Sequence, residues 1–168
     1  NKGIRNGYVR YDPSAEEFPE HGQCVHHVVY SAQQDRLYAQ VHWGTVRSDD
    51  GGASWVDITA GLPSDFGMVI VVPIVGGEFR VPPEGKLRVY RTADAGASWE
   101  PLTSGLPQEQ AYMGTYREGM AIDRLDPAGL YLGTNTGQLY VSADEGEHWH
   151  EVTSNLPPIS SVSVAVLE

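Results

Sequence analysis

The chain has 168 residues, enough for one domain with a sizeable core. Lys and Arg total 11 against 22 Asp and Glu, and the net charge of −11 argues against nucleic acid and anionic membranes as partners. With 19 Gly, 11 Pro and nine Tyr to three Phe, the composition suits a turn-rich β protein rather than a helical one.

In chain order, residues 1–22 offer at most two partial strands, around Ile4-Arg5 and Tyr8–Tyr11. Val25–Tyr30 is an apolar run suited to a strand buried on both faces, and Leu37–His42 reads as its partner. Val56–Thr59 follows as a short strand. Met68–Val72 opens a second set, continued by an irregular hairpin over 77–86, then Leu87–Thr92 and Glu100–Thr103. Met120–Ile122, Leu130–Gly133, Leu139–Ser142 and His150–Thr153 form a third. Ser160–Val166 reads as the innermost strand of a further set. The longest apolar run, Met68–Val75, is too short to span a membrane and contains Pro73.

A repeat underlies this order. Ser48-Asp-Asp50-Gly-Gly52-Ala-Ser-Trp55 recurs as Thr92-Ala-Asp94-Ala-Gly96-Ala-Ser-Trp99 and again as Ser142-Ala-Asp144-Glu-Gly146-Glu-His-Trp149. Thr, Leu and Pro then follow each tryptophan at fixed offsets: Thr59, Leu62 and Pro63; Thr103, Leu106 and Pro107; Thr153, Leu156 and Pro157. The aspartates stand 44 and 50 residues apart. Four short strands per repeat of this length predict an all-β fold, a β-propeller with four-stranded antiparallel blades. The units are 23–63, 64–107 and 108–157, with 158–168 beginning another. Three complete blades and a partial one leave three outcomes: a small closed ring, a half-propeller completed by a second copy, or a piece of a larger propeller.

The repeated residues fit a hairpin between the third and fourth strands. Each aspartate (Asp50, Asp94, Asp144) is expected to accept bonds from backbone amides two residues on, stapling the turn. The glycines (Gly52, Gly96, Gly146) supply a positive φ. The hydroxyls of Ser48, Thr92 and Ser142 return a bond to the turn, and Trp55, Trp99 and Trp149 bury their rings beneath it. All twelve residues are read as structural.

These residues resemble the BNR or Asp-box repeat superfamily, which includes sialidases and sortilin-type receptors. The nearest likeness is to uncharacterised bacterial exo-sialidase-like proteins. The resemblance covers residues from about 23 to 166. It implies a propeller with the Asp box on the outer rim, away from any binding funnel, and assigns no activity. Sialidases in this superfamily also carry an Arg-Ile-Pro segment, which does not occur here.

Aligning the units brings Cys24, His26 and His27, then Asp65 and Phe66, then Tyr116, Arg117 and Glu118 to the channel mouth, a natural place for a polar pocket. Glu118 and Asp65 have the chemistry of a glycosidase carboxylate pair, with Tyr116 and Arg117 beside them. His26, His27, His42, Phe66 and Arg117 are the ligand-binding candidates. Adjacent histidines on a strand face opposite ways, so no metal is assigned, and no phosphate loop, nucleophile elbow or other cofactor motif occurs. His148 and His150 read as ordinary surface residues. The lone Cys24 forms no internal disulfide, and the compartment stays open. Two functions follow: a non-catalytic scaffold that binds a protein or carbohydrate at the channel mouth, or a glycoside hydrolase using the acidic residues there.

Overall fold

A computed structural model of the chain describes residues 25–32, 34–41, 44–62 and 80–167. Cys24, His42, Asp65 and Phe66, with the strands expected near residues 4–11 and over 68–72, lie outside the described residues. The protein is all-β. Among the described residues there is no α-helix, and one 3-10 turn occupies Pro83–Gly85.

The first unit is a four-stranded antiparallel sheet of β1 (Val25–Ser31), β2 (Arg36–Val41), β3 (Gly44–Ser48) and β4 (Val56–Asp57), paired in chain order. The second contributes an antiparallel pair, β5 (Val89–Arg91) and β6 (Glu100–Leu102). The third repeats the first plan with β7 (Met120–Ile122), β8 (Leu130–Gly133), β9 (Leu139–Ser142) and β10 (His150–Thr153). Period-two patterning places Leu130 and Leu132 of β8 in the core, with Leu132 opposite Tyr140.

Two clusters of apolar side chains hold these sheets. Leu87, Val89, Leu102, Leu106, Leu130, Leu132, Tyr140 and Trp149 form one that joins the second and third units, with Met113 and Met120 against it. The first unit has its own small cluster of Ala39, Val41 and Val46 beneath Trp55.

Two expectations are corrected. Val25–Tyr30 is not buried on both faces: Val25, Val28, Val29 and Tyr30 are all exposed, because β1 is an edge strand. Ser160–Val166 does not form a strand. It makes a single parallel bridge between Ser161 and Glu118, with the Val162 amide donating to the Glu118 carbonyl.

The three repeated turns share one bonding scheme. Ser48 Oγ donates to Asp50 Oδ1 at 2.8 Å and accepts from the Gly52 amide at 2.8 Å. Thr92 and Ser142 do the same for Asp94 and Gly96, and for Asp144 and Gly146. The aspartate's amide partner lies four residues on, not two: Ser54, Ser98 and His148 donate to it at 2.8, 2.8 and 2.9 Å. Two consecutive left-handed residues curl the chain that far back. They are Gly51-Gly52, Ala95-Gly96 and Glu145-Gly146. The residue four on also closes the second carboxylate oxygen, through a hydroxyl in Ser54 and Ser98 and through Nδ1 in His148 at 2.8 Å. His148 is therefore part of the turn, which a reading of it as ordinary surface did not foresee.

These bonds favour the ionised carboxylate and hold all three acids down to about 2. The Ser54 and Ser98 hydroxyls are the largest influence on Asp50 and Asp94; for Asp144 it is the His148 amide.

Successive units meet through these turns. Gly96 of the second turn abuts Ile58 of the first unit, and Gly146 of the third turn abuts Leu102 of the second. Gly96 has φ +90, and a Cβ there would lie 2.6 Å from Ile58, so both conformation and space require glycine. Trp99 Nε1 donates to the Ile58 carbonyl at 2.9 Å, and the Trp149 amide to the Ser104 carbonyl at 2.8 Å. Arg47 reaches the Ala95 carbonyl just as Arg91 reaches that of Glu145 and the Glu147 carboxylate.

Candidate functional site

A cavity of about 610 Å³ opens between the first unit and the second and third. That volume lies within the range of small-ligand sites, about 300–1,000 Å³. From the first unit come His27 and Val29 of β1 and Tyr38 of β2. Unit two supplies Val89, Tyr90 and Trp99, and unit three supplies Thr115, Tyr116, Arg117, Glu118 and Met120. His27 and Val29 share a face of β1, as alternate strand residues must.

Four residues singled out from the sequence thus share one cavity: His27, Tyr116, Arg117 and Glu118. His27 Nδ1 and Glu118 Oε1 stand 3.5 Å apart and join the first unit to the third across the opening. Both side chains are more than a third exposed, at 37% and 63%, so water screens the contact and it adds little stability. Its importance is positional.

Tyr116, Arg117 and Glu118 form a wall shared with a smaller cavity of about 210 Å³, which Arg80 and Ser160 complete. The Arg80 guanidinium lies 5.2 Å from the centre of the Tyr116 ring, within cation–π range. The Thr115 hydroxyl is buried in the wall of the larger cavity with no hydrogen-bond partner among the described residues.

His26 is half-buried where the β1–β2 register slips between Val25 and His27, and it does not line the cavity. His42, Asp65 and Phe66 are outside the described residues, so the proposed Glu118–Asp65 pair has no measured separation. Among the described residues, no three His, Cys, Asp or Glu side chains converge as metal ligands would. No helix among them is long and apolar enough to cross a membrane.

Thr115, Arg80, Tyr38 and Trp99 were not foreseen as site residues. Arg80 falls in the 77–86 hairpin, whose irregular composition was its only signal. Trp99 was read as wholly structural, yet its ring lines the cavity while its Nε1 holds the Ile58 carbonyl.

Carboxylates whose titration is displaced are, among the described residues, all displaced downward, Asp49, Glu84 and Asp123 included. Arg47 acts most on Asp49, Arg88 on Glu84, and the Gly129 amide on Asp123. These groups staple turns and pair with cations. No protein-family model matches this chain, and no curated protein matches it.

Proposed function

We propose that the chain is a set of Asp-box β-propeller blades that binds a glycan in the cavity between its units without turning it over. The observation that carries this reading is a cavity of about 610 Å³ walled by Tyr38, Tyr116, Arg117, Glu118 and His27. Sugars bind by laying their C–H faces on aromatic rings while their hydroxyls meet fixed donors and acceptors. Tyr38 and Tyr116 provide the rings, Arg117 donates and Glu118 accepts. The propeller reading rests on the three repeated turns and on the glycine of the second and of the third turn packing against the unit before it.

The alternative is a glycoside hydrolase with Glu118 as one of its two carboxylates. The His27–Glu118 contact and the neighbouring Tyr116 are the observations in its favour.

A panel of neutral and sialylated oligosaccharides, titrated while amide chemical shifts are followed, tests the first reading. Binding is expected, with affinity falling about tenfold, or about 1.4 kcal/mol, in Tyr116→Ala. No binding anywhere in the panel, or unchanged affinity in Tyr116→Ala, would overturn it. Aryl-glycoside hydrolysis that vanishes in Glu118→Gln would establish the hydrolase instead.

A further inference from the structure

Tyr116, Arg117 and Glu118 line both the cavity of about 610 Å³ and the smaller one of about 210 Å³, so the two spaces are neighbours along one short stretch of chain. His27 and Tyr38 of the first unit line the larger space. Arg80 of the second unit and Ser160, from beyond the third, complete the smaller one.

The shared wall is fixed at both ends. At its start the Gly114 amide donates to Asn135 Oδ1 at 2.8 Å, and the Asn135 amide donates back to the Gly114 carbonyl at 2.8 Å. At its end the Val162 amide donates to the Glu118 carbonyl at 2.7 Å, and the Gly119 amide to the Tyr116 carbonyl at 2.9 Å. Gly114 also packs so closely on the Arg80 backbone that a Cβ there would collide with the Arg80 carbonyl. Arg80 is thereby set beside the wall, its guanidinium 5.2 Å from the centre of the Tyr116 ring. A wall held in this way is formed before a ligand arrives, so binding loses little to ordering it.

We propose that the two cavities are adjoining subsites of one extended site, and that its ligand is an oligosaccharide of at least two sugar units lying along the Tyr116–Glu118 wall. This inference rests on the glycan-binding reading above and narrows it. A single sugar ring occupies one cavity and leaves the polar groups of the other unused. A chain lays one ring by Tyr38 and His27 and the next by Arg80 and Ser160, whose guanidinium and hydroxyl suit sugar hydroxyls. Arg117 and Glu118, lining both spaces, serve both rings. Arg80 and Ser160 line the smaller cavity and not the larger, so they are the residues that tell a chain from a single sugar.

Methyl glucoside, methyl galactoside and methyl mannoside, each titrated alongside its β-1,4-linked di- and trisaccharide while amide chemical shifts are followed, test the proposal. Contacts in a second, linked subsite form intramolecularly, so in a series that binds, the disaccharide should bind about tenfold more tightly than the methyl glycoside. Ser160→Trp fills the smaller cavity from an exposed position. It should bring the disaccharide down to the affinity of the methyl glycoside and leave the latter unchanged. Arg80→Asn keeps a residue that tolerates the left-handed φ of +45 found there. It should weaken the disaccharide alone, by about threefold or more, through the lost donors. Unchanged circular dichroism would establish that both variants fold. A disaccharide no tighter than its methyl glycoside, or wild-type disaccharide affinity in Ser160→Trp, would overturn the extended site and leave the glycan reading standing. Binding by no member of any series would overturn that reading, and the extended site with it.

Discussion

Gly105→Ala is expected to lower the melting temperature of the chain by about 5–15 °C in thermal unfolding followed by circular dichroism. Gly105 has φ +86, and a methyl group there would collide with the Trp149 backbone carbonyl. The left-handed strain costs about 1–3 kcal/mol. Loss of the adjacent bond from the Trp149 amide to the Ser104 carbonyl adds about 1 kcal/mol. The control is Gly61→Ala at the matching position of the first unit. Gly61 has φ +94, so it bears similar strain, but a Cβ there meets only Trp99 Cδ1 at 3.7 Å. The excess loss in Gly105→Ala therefore reports the junction between the second and third units. Equal losses in the two variants would show that this junction is not packed as described.

The second large effect is acid lability. Asp50, Asp94 and Asp144 are held at about 2 when folded, whereas an unfolded aspartate titrates near pH 3.9. A carboxylate depressed by folding stabilises above its unfolded pKa, and that contribution disappears as pH falls through the folded value. Stability should therefore hold down to about pH 4 and drop steeply towards pH 2. The triple variant Asp50→Asn, Asp94→Asn, Asp144→Asn should be less stable than wild type at pH 7 and lose less on acidification. Asp49, Glu84 and Asp123, also depressed, would leave it a residual slope. Parallel pH profiles for the two proteins would rule out the carboxylates as the source.

The strands and turns were largely legible because the evidence for them is local and repeated. Alternating apolar residues in Leu130–Gly133 and Leu139–Ser142 marked β8 and β9, and the Asp–Gly–Trp spacing marked each hairpin. The bond that Asp94 accepts from the amide four residues on was not legible. It depends on Ala95 adopting φ +60, a conformation its side chain does not advertise. Likewise, nothing in the letter His148 announces that an imidazole replaces the serine hydroxyl of the other two turns. The exposure of Val28 and Tyr30 was missed because apolar content says nothing about which sheet edge is covered. At the site, aligning the repeats was enough to put His27 with Tyr116, Arg117 and Glu118. Thr115 escaped notice because a threonine before a tyrosine has no sequence signature; only its burial without a partner distinguishes it.

The stacking of the units depends on Gly96 and Gly146 packing against Ile58 and Leu102, each three residues after the tryptophan of the preceding unit. Nuclear Overhauser spectroscopy on methyl-labelled protein measures that contact directly. Strong cross-peaks are expected from the Gly96 α-protons to the Ile58 methyls and from the Gly146 α-protons to a Leu102 methyl. Their absence, with the in-sheet cross-peaks of β8 and β9 intact, would mean that the units fold but do not stack through their turns.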